Sequence, residues 1–226
     1  MKILIVEDEK TLSDSIVEYL EIEGGHLCEA VYNYDNAVEK IELYEYDCIV
    51  VDINLPDGSG LDIIRLIKSK SKTMGIIIIS GRDSIEDRIE GLEIGADNYL
   101  TKPFHLAELN AHLRSINRRI NFNGNNKIVL NEIEIIPDEH RAFVHNKELK
   151  LTRKEFEVLL FFISNKNKVI TKIGLAEHLW GDFMDASDSF DFIYTHIKNL
   201  RKKLLKEGCE DYIQTVYGVG YKFYVP

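Results

Sequence analysis

Five short apolar runs punctuate the first half of the chain: "ILIV" (3–6), a weaker "HLCEAV" (26–31), "CIVV" (48–51), "IIII" (76–79) and "NYLT" (98–101). Helical patterns lie among them. "EKTLSDSIVEYLEIEG" puts Leu12, Ile16, Tyr19 and Leu20 on one face and stops at Gly24 and Gly25, as an amphipathic helix closed by glycine does. "GLDIIRLIKSK", "DSIEDRIEGLEIG" and "HLAELNAHLRSINRR" predict three more. The middle strands are apolar throughout rather than at every second position. Such strands are buried on both faces, which requires a parallel sheet sandwiched between helices. The predicted fold of residues 1–120 is therefore a five-stranded, doubly wound, flavodoxin-like α/β domain.

The polar stretch "NRRINFNGNNK" (117–127) breaks this pattern, and a linker is expected over 121–127. Beyond it, over 128–226, the pattern changes. "KIVLNEIEIIP" and "AFVHNKELKL" predict short antiparallel strands, and "TRKEFEVLLFFISN", "KIGLAEHLW" and "DSFDFIYTHIKNLRKKLL" predict three helices. "YIQTVYGVGYKFYV" alternates around Gly218 and Gly220 as a hairpin does. Three helices followed by a hairpin are the parts of an α+β winged helix-turn-helix.

Charge sharpens the division. The chain carries −10 overall; residues 1–121 hold 13 Lys and Arg against 23 Asp and Glu, and the rest hold 15 of each. An acidic front and a neutral back fit two modules with different partners. The N-terminus meets carboxylates at once, and no apolar run approaches the ~20 residues of a membrane span, so a cytoplasmic protein without membrane contact is expected. Cys28, Cys48 and Cys209 are far apart and read as buried free thiols. The seven histidines show no metal-ligand spacing, which argues against a zinc enzyme.

In an open parallel sheet, functional groups gather beyond the carboxyl ends of the strands. Glu7 and Asp8 follow the first strand, Asp52 ends the third, Ser80 ends the fourth and Lys102 follows the fifth. Clustered carboxylates call for a hard cation, and Mg²⁺ suits them because it retains waters and leaves room for a phosphoryl group. Asp52 is placed as a nucleophile towards phosphorus. Glu7, Asp8, Asp52 and the backbone carbonyl of Asn54 are the expected metal ligands. Lys102 and the Ser80 hydroxyl are expected to receive oxygens of the transferred group.

"LIVEDE", "VVDINLPDGSGLDIIRLIK", "IIIISGRD" and "GADNYLTKPFHLAEL" resemble the receiver domain of bacterial two-component response regulators. The resemblance implies phosphorylation of Asp52 by a sensor histidine kinase, a cis bond from Lys102 to Pro103, and a switch in which Ser80 moves to the phosphate and Tyr99 turns inward. It implies catalysis only of self-phosphorylation and slow self-dephosphorylation. Haloacid-dehalogenase-type phosphatases also use an aspartate after an apolar strand, but they need a second acid two residues on, where this chain has Asn54.

In the last predicted helix, Ile193, Ile197, Leu200 and Leu204 share one face. Thr195, Lys198, Asn199, Lys202 and Lys206 lie towards the other, with Arg201 and Lys203 on the flanks. A buried stripe beneath a basic, hydrogen-bonding exterior suits a major groove. "LTRKEFEVLLFFI", "YTHIKNLRKKL" and "TVYGVGYKF" resemble the effector domain of OmpR/PhoB-type regulators. That resemblance implies a recognition helix over about 189–206, a wing over 212–224 carrying Thr215, Tyr217 and Lys222, and a loop near 181–188 able to meet RNA polymerase. Tyr217 stands where the family usually has Arg, Ser80 where Thr is commoner, and Gly81 where Ala is. The resemblance also implies a homodimer strengthened by phosphorylation, through Arg88, Glu93, Asp97, Glu108, His112 and Arg114, which reads tandem half-sites in promoter DNA. The alternative is a regulator that binds DNA without phosphorylation and carries a vestigial receiver.

Overall fold

The computed structural model describes residues 1–70, 73–122, 124–180 and 191–226. The chain divides into two compact units, Met1–Ile120 and Asn121–Pro226. In the first, elements alternate: β1 (Lys2–Val6), α1 (Lys10–Ile22), β2 (Leu27–Val31), α2 (Tyr34–Leu43), β3 (Cys48–Asp52), the two-residue strands β4 (Asn54–Leu55) and β5 (Gly58–Ser59), α3 (Gly60–Lys70), β6 (Gly75–Ser80), α4 (Ile85–Ile94), β7 (Asn98–Thr101) and α5 (Leu106–Phe122). The five long strands form one parallel sheet in the order β2-β1-β3-β6-β7. Its uniform apolarity has the expected cause. Leu4, Val6, Ile49, Val51, Ile76 and Ile78 pack under α2, α3 and α4, while Ile3, Ile5, Val50, Ile77 and Ile79 pack under α1 and α5. In the central strands β3 and β6 both faces are dry, so no position there is free to be polar until the strand ends.

Helix α2 is absent from the predicted helices. Only Ala37 of it is fully buried, so its apolar stripe is too thin to read. Its N-terminus is marked instead by a cap, since the Asn33 side chain accepts from the Asn36 amide at 2.9 Å. The β4–β5 hairpin was also unread. Helix α5 extends to Phe122, two residues into the stretch expected to be a linker.

The second unit opens with an antiparallel sheet in the order β11-β10-β9-β8, made of β8 (Ile128–Leu130), β9 (Ile133–Ile136), β10 (Arg141–Val144) and β11 (Lys147–Glu148). Helix α6 (Arg153–Ser164) starts on a capping box, in which Thr152 and Glu155 each bond the other's backbone amide. Strand β12 (Val169–Thr171), α7 (Lys172–Trp180) and α8 (Asp191–Lys206) follow, and then the hairpin β13 (Ile213–Val216) and β14 (Gly220–Phe223). Strand β12 was not anticipated; it pairs antiparallel with β14 over Gly220–Lys222, as a third strand beside the hairpin. Gly218, at φ +76°, makes the turn, a backbone that side chains rarely adopt. One core unites the unit: Phe156, Leu159 and Phe162 of α6, Leu175 of α7 and the stripe Ile193, Ile197, Leu200 and Leu204 of α8 all lie in it.

Candidate functional site

The carboxyl ends of β1, β3, β6 and β7 lie side by side, which brings the polar residues after them together. Glu7 is fully buried, Asp52 is 4% exposed and Ser80 is fully buried. Asp8 is exposed at the open side. Ligand oxygens of Glu7, Asp8 and Asp52 all lie within 4.8 Å of one another. The Lys102 ammonium reaches between two of them, 2.5 Å from Asp52 Oδ2 and 2.6 Å from Glu7 Oε2. The bond from Lys102 to Pro103 is cis.

The electrostatics follow from this crowding. Burial pushes the Glu7 carboxyl above the usual carboxylate range; Lys102 pulls it back, and the Asp52 charge adds to the rise. Burial works against the Lys102 ammonium too, but its bonds to Asp52 and Glu7 outweigh that and hold its pKa above the ordinary lysine value. One cation thus serves two buried acids. The loops are tightly built around them. The Asn54 amide donates to Asp52 Oδ1 at 3.0 Å, and the Gly60 amide donates to the Ile53 carbonyl at 2.9 Å. A Cβ on Gly60 would lie 2.0 Å from the Asp52 carbonyl oxygen, so only glycine closes this loop.

Ser80 and Tyr99 meet the same short segment. The Ser80 hydroxyl accepts from the Arg82 amide at 3.2 Å, and the Tyr99 hydroxyl donates to the Arg82 carbonyl at 2.9 Å. Arg82, not singled out in the sequence, also donates twice to Asn54 Oδ1, at 2.7 and 3.1 Å. Its side chain therefore ties the loop after β6 to the loop after β3.

On α8, Thr195, Lys198, Asn199 and Lys202 are exposed, as are Thr215 and Tyr217 of the hairpin, while Lys222 is half-exposed. Tyr217 is 92% exposed. Arg201 and Lys203 are placed differently. Arg201 forms a two-pronged ion pair with Asp211. Lys203 bonds Glu155 Oε2 at 2.6 Å and the Lys150 carbonyl at 2.9 Å, so both side chains serve the scaffold. Asp191 bounds α8, and residues 181–188, expected to be the polymerase-facing loop, lie outside the described residues.

Of the expected dimer residues, Arg88, Glu93, Glu108 and Arg114 are exposed and His112 is half-buried. Asp97 is engaged within the chain: it accepts from the Ile76 amide at 2.8 Å and from Arg119 at 2.6 Å. What the sequence reading missed is an apolar stripe on α4. Ile85, Ile89 and Leu92, spaced i, i+4, i+7, are 68%, 50% and 47% exposed. Among the described residues no helix is long and apolar enough to cross a membrane.

An acidic, lysine-bridged pocket at the strand ends of one unit, with a winged helix in the other, defines a class: a response regulator whose output is DNA binding. Comparison with known proteins agrees. Residues 3–114 match the response regulator receiver domain, and residues 146–223 match the C-terminal domain of transcriptional regulatory proteins. The chain is 35% identical over 225 residues to the phosphate regulon transcriptional regulatory protein PhoB of Klebsiella pneumoniae, covering 98% of this chain and 97% of that protein. It is 36% identical over 225 residues to the cell cycle response regulator CtrA of Brucella anthropi, covering 98% and 94%. A solved two-component response regulator from Clostridium difficile matches 54% of this chain and 98% of its own, at 32% identity and a TM-score of 0.51. The chain belongs to the OmpR/PhoB family of response regulators. It is a DNA-binding transcriptional regulator of a two-component system, and a histidine kinase and DNA are its partners by class.

Proposed function

We propose that Asp52 is the phosphoacceptor and that its phosphorylation switches the protein to a dimer that binds tandem half-sites. The observation that carries this reading is the Lys102 ammonium held between Asp52 and Glu7 at the sheet edge. A buried carboxylate with a cation beside it and an exposed acid in front is built to react. An Asp52 oxygen forms the new P–O bond while the P–N bond of the kinase's phosphohistidine breaks, its electron pair leaving on the imidazole nitrogen.

The donor set fits Mg²⁺: three hard carboxylates within 4.8 Å, one of them solvent-facing, and a buried Glu7 whose raised pKa a divalent cation would offset. Glu7, Asp8, Asp52 and the Asn54 carbonyl would hold it, and when bound it supplies charge neutralisation at the phosphoryl oxygens. Lys102 then exchanges part of its contact with Asp52 for a phosphoryl oxygen. Ser80 turns its hydroxyl to another, and Tyr99 leaves the Arg82 carbonyl and moves inward. Hydrolysis of the acyl phosphate by water resets the pocket slowly.

The moving segment borders α4, so the output surface is α4, β7 and α5. Ile85, Ile89 and Leu92 supply its apolar centre, and Arg88, Glu93, Glu108, His112 and Arg114 its rim. Exposed ion pairs add only ~0–1 kcal/mol each, so the apolar stripe carries most of the association. Asp97 contributes by holding Arg119 and the start of β6. Two joined winged helices then gain affinity through effective concentration. Thr195, Lys198, Asn199 and Lys202 face the major groove, Thr215, Tyr217 and Lys222 lie along the wing, and Arg201 and Lys203 brace α8 from behind. The segment 181–188 is assigned to RNA polymerase by family resemblance. Light scattering at tens of micromolar tests the switch: a dimer is expected after treatment with a phosphodonor and Mg²⁺. A phosphorylated protein that stays monomeric, or a footprint covering a single half-site, would overturn it.

A further inference from the structure

We propose that Asp57 is a positioning residue for the metal-holding loop, acting by clasping the N-terminus of α2. Asp57 sits at the tip of the β4–β5 hairpin, three residues beyond Asn54. Its two carboxylate oxygens each take a different amide of α2: Oδ1 accepts from Tyr34 N at 2.7 Å and Oδ2 from Asp35 N at 3.1 Å. Free amides at a helix start attract an acceptor, and a carboxylate suits them best. These bonds, the Tyr34 amide first, hold the Asp57 carboxyl below the usual range.

The rest of the helix start is already satisfied. Asn36 N donates to the Asn33 side chain, and Ala37 N donates to the Asn33 carbonyl. Asp57 therefore fills the two positions that α2 leaves open, from a distant part of the chain. Gly58 completes the fit: a Cβ there would lie 2.7 Å from the Tyr34 ring, so the hairpin lies directly against α2.

The clasp matters because the other end of the same loop is the pocket. The Gly60 amide is bound to the Ile53 carbonyl, and Asn54 pairs with Ser59 across the hairpin. Residues 53–60 thus form a small closed loop with one end fixed at Asp52 and the tip fixed on α2. With both ends held, the Asn54 carbonyl has one place to be. Released at the tip, the loop keeps its neck but samples other orientations. Asn54 would then offer its carbonyl only part of the time, and the cation would bind with the affinity reduced by that fraction. This inference rests on the reading that the pocket holds Mg²⁺ with the Asn54 carbonyl as a ligand.

The test is calorimetric titration of the unphosphorylated full chain with MgCl₂, for the unsubstituted protein, Asp57→Ala, Asp57→Asn and Asn33→Ala. Asp57→Ala is expected to weaken binding about three- to tenfold, less than the ~10–100-fold lost when a partner touching a ligand directly is removed. Asp57→Asn keeps one acceptor oxygen and is expected to fall between. Asn33→Ala removes a cap of the same helix without touching the loop, so it is expected to lower stability in urea while leaving Mg²⁺ affinity unchanged. Unchanged affinity in Asp57→Ala, or an equal loss in Asn33→Ala, would overturn the inference and leave the functional reading standing. Absence of Mg²⁺ binding to the unsubstituted protein would overturn both.

Discussion

Glu7 and Glu155 are both buried, 0% and 3% exposed, and both bond a lysine ammonium at 2.6 Å. Their acidities nonetheless move in opposite directions. Burial raises each. For Glu155 the bond from Lys203 and the Thr152 amide overcome that burial, and the carboxyl ends below the usual range. For Glu7 burial wins: Lys102 pulls the carboxyl down as Lys203 does Glu155, but burial and the neighbouring Asp52 charge outweigh it. The second unit spends a lysine on one acid and gains a settled joint between α6 and α8. The first unit leaves two acids sharing one lysine within an acidic cluster of the kind that suits a hard cation. Perturbed acids of this kind cluster at functional sites.

The largest expected effect comes from breaking the settled joint. Lys203→Met leaves the buried Glu155 held by the Thr152 amide alone, and losing a hydrogen bond to a charged group costs about 1.5–3 kcal/mol. Urea unfolding of the full chain, followed by the fluorescence of the single tryptophan Trp180, should show that loss. A midpoint shift within error would mean that the pair contributes nothing.

The competing pair should respond with the opposite sign. Glu7→Gln removes one buried charge and keeps an acceptor for Lys102, so the first unit is expected to gain about 1 kcal/mol while binding Mg²⁺ more weakly. Loss of stability in a differential scan would contradict the picture of crowded acids.

The two glutamates also set opposite pH dependences. The folded pKa of Glu155 is lowered, so its contribution is fully present above the ordinary value of 4.5 and is lost as pH falls through the folded value. The folded pKa of Glu7 is raised, so its contribution is fully present below 4.5 and is lost as pH rises through the folded value. Unfolding measured between pH 3 and 7 for the unsubstituted chain, Glu7→Gln and Glu155→Gln should flatten one slope in each variant. Parallel curves for all three would remove the distinction.

The smallest effect concerns the loop after β6. A Cβ at Gly81 meets nothing within 4 Å, so Gly81→Ala is expected to stabilise by about 0.4–1 kcal/mol by restricting the unfolded chain. Destabilisation in the same urea series would show that the loop needs a conformation closed to alanine.

Much of this was legible from the sequence where one physical cause acts locally. Uniform apolarity identified β3 and β6 because burial on both faces leaves no polar position. The 4, 3, 4 spacing of Ile193, Ile197, Leu200 and Leu204 identified the inner face of α8 because a helix has only one dry side. Strand ends located Glu7, Asp52, Ser80 and Lys102. Helix α2 was illegible because its dry face is little more than Ala37, and β12 because three residues beside a helix start carry no period. Partnerships across the chain were equally invisible. Nothing near Lys203 announces Glu155, nothing near Arg201 announces Asp211 ten residues on, and Asp57 looks like ordinary turn chemistry until α2 is found beside it. Charged residues on an amphipathic helix are readable as a set, whereas which of them are already taken is decided by packing.

The central claim is that the crowded pocket exists to let Asp52 accept phosphate. The direct measurement is the intact mass of the full chain after incubation with a small phosphoryl donor and Mg²⁺, beside Asp52→Ala. Addition of one phosphoryl group to the unsubstituted protein and none to the variant is the expected result. An unchanged mass for both, or equal addition to both, would contradict the account.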